Sequence, residues 1–220
     1  MIGSIIGPII GLTTPGGGGG PPPPAGLLPD FKWTNNYIAG AGGVQTIVAD
    51  IGGVNLVQNT ASAQPQDMGD HVALDADDQL DASFSYSETS ITLIYKVRRL
   101  TSTPSFGKLV HWANGFQVQR NGLASTCRVI FDGTILTSVG AVVDSTVHDL
   151  AVTWSASSST LTLYIDGAFD SSAAHVGANF DEAFGYRYGK DQPVDIFESR
   201  IYKKELTPSE VLTAFNEMNP

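Results

Sequence analysis

Residues 148–172 read HDLAVTWSASSSTLTLYIDGAFDSS, and the middle of this stretch alternates between apolar and polar side chains. Leu161, Leu163 and Ile165 occupy every second position. Because successive side chains of a β-strand point to opposite faces, this spacing predicts a strand with one buried face. The Asp-Gly dipeptide that follows favours a tight turn between antiparallel strands. The stretch therefore predicts a β-hairpin.

The same pattern recurs along most of the chain. Runs rich in Val, Ile, Thr, Tyr and Phe are separated by Asn-Gly and Asp-Gly dipeptides, which predicts many strands joined by short turns. The clearest strands are predicted over residues 91–100, 115–121, 126–133, 150–155 and 160–166. The one helix is predicted near the C-terminus, where Thr207 and Glu210 match a capping box and Val211, Phe215 and Met218 share one face. The sequence therefore predicts an all-β fold with a short C-terminal helix.

The composition narrows the class of protein. The chain has 220 residues, of which 42% are hydrophobic and 15% charged, enough to bury a core in a single domain. A formal net charge of −10 disfavours a nucleic-acid partner, and no charged residue precedes Asp30. The lone Cys127 cannot form an intramolecular disulfide, which excludes a disulfide-stapled secreted scaffold.

The N-terminal segment differs in kind from the rest. Five isoleucines recur at the spacing of one helical stripe and are predicted to bind a partner: Ile2, Ile5, Ile6, Ile9 and Ile10. Pro8 and the interspersed glycines oppose an isolated helix, so we expect order only on that partner. The alternative is that this segment is a disordered leader with no role.

A glycine run and a proline run follow the isoleucine stripe, and together they predict a flexible, then extended tether. The predicted organisation is an apolar anchor and tether over residues 1–29 and a β-sandwich over residues 30–220. The opening 12 residues carry no basic region and fall short of the roughly 20 that span a bilayer, so neither a signal peptide nor a membrane span is expected.

Three segments resemble one known family. Residues 148–172 resemble the central hairpin of laminin-G-like domains, with a strand ending in Tyr-x-Asp-Gly, and VDIFESRIYKKELTPSEVLTAFNE (194–217) resembles their closing strand and capped helix. HVALDADDQLDASFSYSETSITLIYKVR (71–98) is similar to an earlier strand, loop and strand. The resemblance, to the concanavalin-A-like lectin/glucanase group, covers roughly residues 70–217. It implies a two-sheet antiparallel jelly roll.

The same resemblance raises the question of catalysis. Hydrolases of this group carry acidic residues at alternate positions of one strand, where one acts as nucleophile and the other as acid. Such a strand is not visible in the sequence. Asp195 and Glu198 lie three positions apart, which predicts opposite faces of an extended strand. We therefore expect no catalytic residues and no enzymatic activity.

The residues that could bind a metal ion or a glycan also have structural roles as alternatives. The four histidines are scattered and no metal-ligand motif is present, so no metal site is assigned. The resemblance leaves open a calcium site at the sandwich rim, with a solvated acidic loop as the alternative; the candidates are Asp70, Asp75, Asp77 and Asp78. Trp112, beside His111 and a turn, is the candidate glycan contact, with core filling as the alternative.

An anchor, a tether and an adhesive type of sandwich together resemble virion structural proteins of tailed bacteriophages. We expect a head fibre, spike, decoration or tail-fibre type of protein, assembled in the host cytoplasm and located in the virion. The predicted partners are other virion proteins through the tail, further copies of the chain, and host-surface glycans. A non-catalytic bacterial carbohydrate-binding module is the alternative, followed by a polysaccharide-cleaving enzyme.

Overall fold

The computed structural model describes residues 27–75, 78–82, 86–98, 108–111, 115–122, 124–142, 145–177, 180–182, 186–190 and 193–219. Within these ranges the chain forms, in order, β1 (Phe31–Ala39), β2 (Val44–Ile51), β3 (Leu56–Val57), a short 3-10 helix (Ala61–Ala63), β4 (Gln66–Asp67), β5 (Val72–Leu74), β6 (Leu80–Ala82), β7 (Tyr86–Glu88), β8 (Ser90–Arg98), β9 (Lys108–His111), β10 (Phe116–Arg120), β11 (Cys127–Phe131), β12 (Thr134–Thr137), β13 (Val147–Ser155), β14 (Thr160–Ile165), β15 (Ala168–Ala174), β16 (Phe180–Glu182), β17 (Tyr186–Lys190), β18 (Val194–Tyr202) and α1 (Pro208–Met218).

Sixteen of the described strands form two antiparallel layers, and β7 pairs with β16 in a separate two-stranded sheet. The first layer has the order β15-β14-β13-β8-β18-β1, with β5 and β4 added at one end of β18, and the second has the order β2-β3-β6-β17-β9-β10-β11-β12. β1 pairs with strands of both layers, and its register against β2 shifts at three points. Such irregularities bend a strand, which lets the chain pass from one layer to the other. At the far edge, β12 and β15 meet where Thr134 Oγ1 lies 2.8 Å from His175 Nδ1.

The hydrophobic core lies between the two layers. It forms because alternate side chains of each strand point inward. On β8, Leu93, Tyr95 and Val97 point inward and are at most 3% exposed. The inward positions of the neighbouring strand β13 carry Val152 and Trp154, and β1 contributes Trp33 to the same core. On each of these strands the core-facing side chains are apolar. Successive side chains of a strand point to opposite faces, so an apolar residue at every second position produces one apolar face. Trp33 and Trp154 are thus core residues.

The helix covers part of the outer face of the first layer. Its N-cap is Thr207, whose hydroxyl accepts a hydrogen bond from the Glu210 backbone, while Glu210 accepts one from the Thr207 backbone at 2.8 Å. This reciprocal pair is the predicted capping box. Val211, Phe215 and Met218 are buried, and the helix packs in a second apolar cluster with Ile94, Ala151, Tyr164 and Tyr202 of the sheet.

The all-β sandwich with a C-terminal helix confirms the predicted fold class. The predicted hairpin is present as β13 and β14, with Val152 opposite Leu163. The predicted strand over 126–133 ends earlier, at Phe131, because Asp132 and Gly133 adopt φ angles of 43° and 80°. Positive φ at both positions is the geometry of a tight hairpin turn. In the described part of the chain, no helix is long and apolar enough to cross a membrane.

Candidate functional site

A row of ionisable side chains crosses the outer face of the first layer, beyond the end of the helix. On β8, Lys96 lies opposite Asp149 of β13 on one side and Glu198 of β18 on the other. Lys96 and Arg98 are two positions apart, so both point away from the core that Val97 enters. The register of three neighbouring strands therefore brings an ammonium group between two carboxylates.

This row forms the floor of a groove of about 540 Å³. The groove lies between the C-terminal end of the helix and the turn that precedes β5. Its lining residues are Thr34, Asp70, Lys96, Val147, Asp149, Phe197, Glu198, Met218 and Asn219. Three carboxylates, one ammonium group, one amide and one aromatic ring thus face the same space, a mixture suited to a polar ligand with apolar faces.

Asp149 is the most deeply placed of these carboxylates. The residue is 8% exposed, and one oxygen, Oδ2, accepts a hydrogen bond from Asn219 Nδ2. The other oxygen, Oδ1, is buried and has no hydrogen-bond partner among the described residues. Burial raises the pKa of the Asp149 carboxyl, against the opposing effects of Asn219 and Lys96. Asp149 is therefore a carboxyl group with one unused acceptor at the edge of the groove.

Lys96 connects the groove to the end of the helix. Its Nζ donates to the Met218 carbonyl and to Asn219 Oδ1, each at 2.8 Å. A cation at this position is favourable because the last carbonyls of a helix carry partial negative charge. Since an ammonium group has three N–H donors, one remains after these two bonds. The C-terminal residues of the helix thus hold the central cation of the row in place.

The opposite side of the groove is held by Glu198 and Arg200. Arg200 Nε donates to Glu198 Oε1 at 2.5 Å, and Arg200 Nη1 lies 2.7 Å from Glu217 Oε2 on the helix. Burial acts to lower the pKa of Arg200, but the Glu198 carboxylate outweighs it and keeps the pKa above its ordinary value. Lys32 Nζ adds a longer contact of 3.5 Å to Glu198 Oε1. Oε1 of Glu198 is therefore occupied by these two cations.

A second ion pair flanks the aromatic ring of the groove. Arg98 donates to Asp195 Oδ2 from Nε at 2.7 Å and from Nη2 at 2.6 Å, and Asp195 is 2% exposed. The Arg98 guanidinium carbon lies 5.8 Å from the centre of the Phe197 ring, and His71 contacts the same ring at 4.8 Å. The His71 hydrogen bond lowers the pKa of Asp70. These contacts fix Phe197 against the groove wall.

The expected orientation of Asp195 and Glu198 is wrong. The register of β18 against β8 shifts between Ile196 and Glu198, so that Asp195 lies opposite Arg98 and Glu198 opposite Lys96. An extra residue in one strand of a pair, a β-bulge, reverses the alternation beyond it. Both carboxylates consequently lie on the outer face. The expectation that the two carboxylates point to opposite faces therefore no longer counts against their acting as a catalytic pair. Each of them is bonded to a different arginine.

The comparison with known proteins now identifies the domain. Residues 66–212 match the family model Laminin_G_3, described as the concanavalin A-like lectin/glucanases superfamily. The chain belongs to this superfamily. The matched segment includes most of the first layer and of the groove, but ends before Met218 and Asn219. Nothing among the curated proteins matches the chain.

Solved structures of the superfamily fold show the same architecture at low identity. The binding domain of Paraclostridial Mosquitocidal Protein 1 is 16% identical with a TM-score of 0.66, over 86% of this chain and 52% of that one. The ligand binding domain of botulinum neurotoxin serotype D, solved with N-acetylneuraminic acid, is 12% identical with a TM-score of 0.67, over 87% and 51%. Trypanosoma rangeli sialidase is 11% identical with a TM-score of 0.67, over 86% and 32%. This chain thus spans about half or less of each, and the likeness establishes the fold alone.

The structure describes only some of the predicted site residues. Trp112 and the five isoleucines from Ile2 to Ile10 lie outside the described residues, as does Asp77 of the rim calcium candidates. Of the other candidates, Asp70 lines the groove, and Asp78 Oδ2 accepts a bond from the Asp75 backbone at 2.9 Å. Among the described residues, no group of three His, Cys, Asp or Glu side chains could hold a metal ion.

Apart from Asp70, a calcium candidate, the residues that form the groove were not predicted as a site. Lys96 belongs to a predicted strand, Asp149 directly precedes one and Asn219 follows the predicted helix, but nothing in the sequence states which strands are neighbours. One signal was available: polar residues at alternate positions near the ends of apolar strands mark an outer face. That signal shows which side chains of a strand point outward. It does not show which residues of the neighbouring strands lie opposite them.

Proposed function

We propose that this protein is a virion structural component of a bacteriophage, whose sandwich binds glycans without cleaving them. The observation that carries the glycan-binding part is the groove on the outer face, where carboxylate, ammonium and amide groups surround Phe197. Sugars present hydroxyl donors and acceptors on their edges and apolar C–H faces that pack on aromatic rings. The groove offers partners for both.

The relatives support a binding role. The serotype D domain was solved with N-acetylneuraminic acid, and serotype C neurotoxin is described as entering cells through two ganglioside molecules. Those ligands belong to those proteins, and a shared fold does not fix a ligand. They support the proposal of glycan binding by analogy, since this chain covers about half of each of those proteins.

The virion part of the proposal rests on the N-terminal sequence. An uncharged stripe of isoleucines followed by glycine and proline runs is suited to hold a domain away from an assembly to which the stripe binds. Several copies on one particle would multiply weak glycan contacts. On this proposal the protein is homo-oligomeric, is assembled in the host cytoplasm and is located in the virion.

Particle assembly tests the anchor directly. We expect a chain lacking residues 1–24 to be absent from purified particles, whereas the full chain is incorporated. A matched control replaces the glycine and proline runs by a Ser/Gly linker of equal length and should still be incorporated, because the isoleucines remain. Incorporation of the truncated chain at the normal level would contradict the anchor.

A glycan array with the full chain tests the binding role. We expect one class of glycan to bind, and Phe197→Ala to weaken that binding at least tenfold, because the ring packs on the sugar. Trp112→Ala tests the contact predicted from the sequence in the same experiment, and addition of a chelator tests calcium at the rim. Binding of one glycan class by a chain that never enters particles would instead favour the bacterial carbohydrate-binding module.

A second candidate function, glycan hydrolysis, is favoured by one observation. Asp149, whose pKa is raised by burial, and Glu198 lie on the same face with one strand between them. Two carboxyl groups on one face, one of them with a raised pKa, are the pair that inverting hydrolysis uses. Turnover of a bound oligosaccharide that disappears in Glu198→Gln would establish this activity and contradict the non-catalytic proposal.

A further inference from the structure

The hydrogen-bonding groups of the groove are unevenly divided between donors and acceptors. Asp149 Oδ1 and Glu198 Oε2 each accept no bond from the described residues. Asp70 uses only Oδ1, which lies 2.5 Å from His71 Nδ1, and its side chain is 77% exposed. Against these acceptors stands one remaining N–H of Lys96. A ligand of the groove must therefore supply mainly donors.

The guanidinium groups around the groove are already committed to carboxylates, and the Lys96 ammonium group is bonded to the end of the helix. Arg98 holds Asp195 through two nitrogens, and Arg200 is shared between Glu198 and Glu217. A negatively charged sugar is usually bound by a guanidinium group that is free to form a bidentate pair. In the described part of the groove, that group is absent. The carboxylates that line it would also repel a second negative charge.

One carboxylate makes the groove more than an acidic patch. Asp149 is 8% exposed and its Oδ1 is buried without a partner, at the groove edge closed by Asn219. A buried acceptor of this kind is costly unless a donor reaches it. A hydroxyl of a sugar bound in the groove is such a donor. The groove then satisfies an oxygen that the folded chain leaves unsatisfied.

From these observations we infer that the groove takes a neutral saccharide and rejects acidic ones such as sialylated or uronic-acid sugars. This inference rests on the proposed glycan-binding function and specifies its ligand. Sugar hydroxyls donate to Asp149 and Glu198, one ring oxygen or hydroxyl accepts from Lys96, and a C–H face packs on Phe197. Specificity against acidic sugars arises from repulsion rather than from a missing contact.

The test uses the full-length protein and matched pairs of oligosaccharides that differ only in a terminal sialic acid, for example lactose and 3′-sialyllactose series. Binding is measured on an array and then by calorimetry at low ionic strength, where charge effects are largest. We expect the neutral member of the binding pair to bind at least tenfold more tightly than its sialylated form. Equal or tighter binding of the sialylated form overturns the inference and leaves the proposed function intact.

Two variants locate the binding in the groove. Glu198→Gln keeps the shape but replaces the carboxyl acceptor by an amide, so neutral-sugar binding should weaken about tenfold and discrimination against the sialylated form should decrease. Asp132→Asn removes an exposed carboxylate at the β11–β12 turn and should change neither quantity. Full binding by the Glu198 variant places the sugar elsewhere and overturns the inference. No binding of any glycan by the parent chain overturns the proposed function itself.

Discussion

The two faces of β8, β13 and β18 are built from the same strands and serve different ends. Facing inward, Leu93, Val152 and Trp154 are at most 1% exposed and make only apolar contacts apart from the Trp154 indole N–H. Facing outward, Lys96 and Glu198 are bonded to charged or polar partners. One residue along a strand thus separates a position that determines stability from one that determines chemistry.

Substitutions on the two faces should affect the surrounding structure differently. An inner side chain leaves a cavity that the surrounding core fills only in part. An outer side chain leaves a partner that can turn to water, except where that partner is buried. Stability should therefore fall sharply for inner positions and by graded amounts for outer ones, in the order of their burial.

The largest effect is expected at the inner face. Trp154→Ala removes a side chain that contacts the Phe131 ring at 5.2 Å and the His175 ring at 5.6 Å. We expect the free energy of unfolding in urea to fall by about 3–5 kcal/mol. Phe169→Ala is the matched control, since Phe169 is 62% exposed, and should cost below about 1 kcal/mol. Similar losses for both variants would remove the distinction between buried and exposed aromatic positions.

The next effect belongs to the most buried outer carboxylate. Asp195→Ala leaves Arg98 without its partner, but Arg98 is 33% exposed and can reach solvent. We therefore expect a loss of about 2 kcal/mol, below the range for a fully buried pair. In the double variant with Arg98→Ala, part of this loss should be recovered, which a double-mutant cycle measures. A strictly additive cycle would show that the pair is not coupled.

The sequence predicted the inner face well and the outer face poorly. Leu161 and Leu163, placed by alternation, are fully buried, and the capping box at Thr207 is present. Both features depend on residues close together in the chain, where local propensity and period are sufficient. The predicted anchor and Trp112 lie outside the described residues and remain predictions.

The groove depends instead on long-range register. Lys96, Asp149 and Glu198 come from three separate strands, and they meet only after those strands pair. The bulge before Glu198 then places this side chain on the same face as Asp195, whereas opposite faces were predicted. A bulge is set by how two strands fit together in the sheet, so alternation within one strand cannot reveal it.

A smaller effect is expected where the helix meets the outer face. Thr207→Ala removes the N-cap and half of the capping box, which should lower the free energy of unfolding by about 1 kcal/mol. Thr213→Ala, which removes an exposed hydroxyl bonded to the Ser209 carbonyl, is the matched control and should be nearly neutral. If both variants have the same midpoint in urea, the cap does not hold the helix on the sheet.

The smallest effect concerns Asp149 and is distinguished by its dependence on pH. Because burial raises the pKa of this carboxyl in the folded state, the folded chain binds its proton more tightly than the unfolded chain does. Stability linked to Asp149 is therefore fully present below the unfolded pKa of about 3.9, and it is lost as the pH rises through the folded pKa.

Asp149→Asn replaces the carboxyl by a group that stays neutral at every pH. An amide oxygen can still accept the bond from Asn219, so the variant should match the parent at pH 3 and exceed its stability at pH 7. The difference is small because Asn219 and Lys96 oppose the effect of burial on this pKa. Urea denaturation of both chains across this range measures it. A variant that loses stability on going to pH 7 would mean that the ionised carboxylate is the favoured form, which would make Asp149 a member of the charged row in its own right.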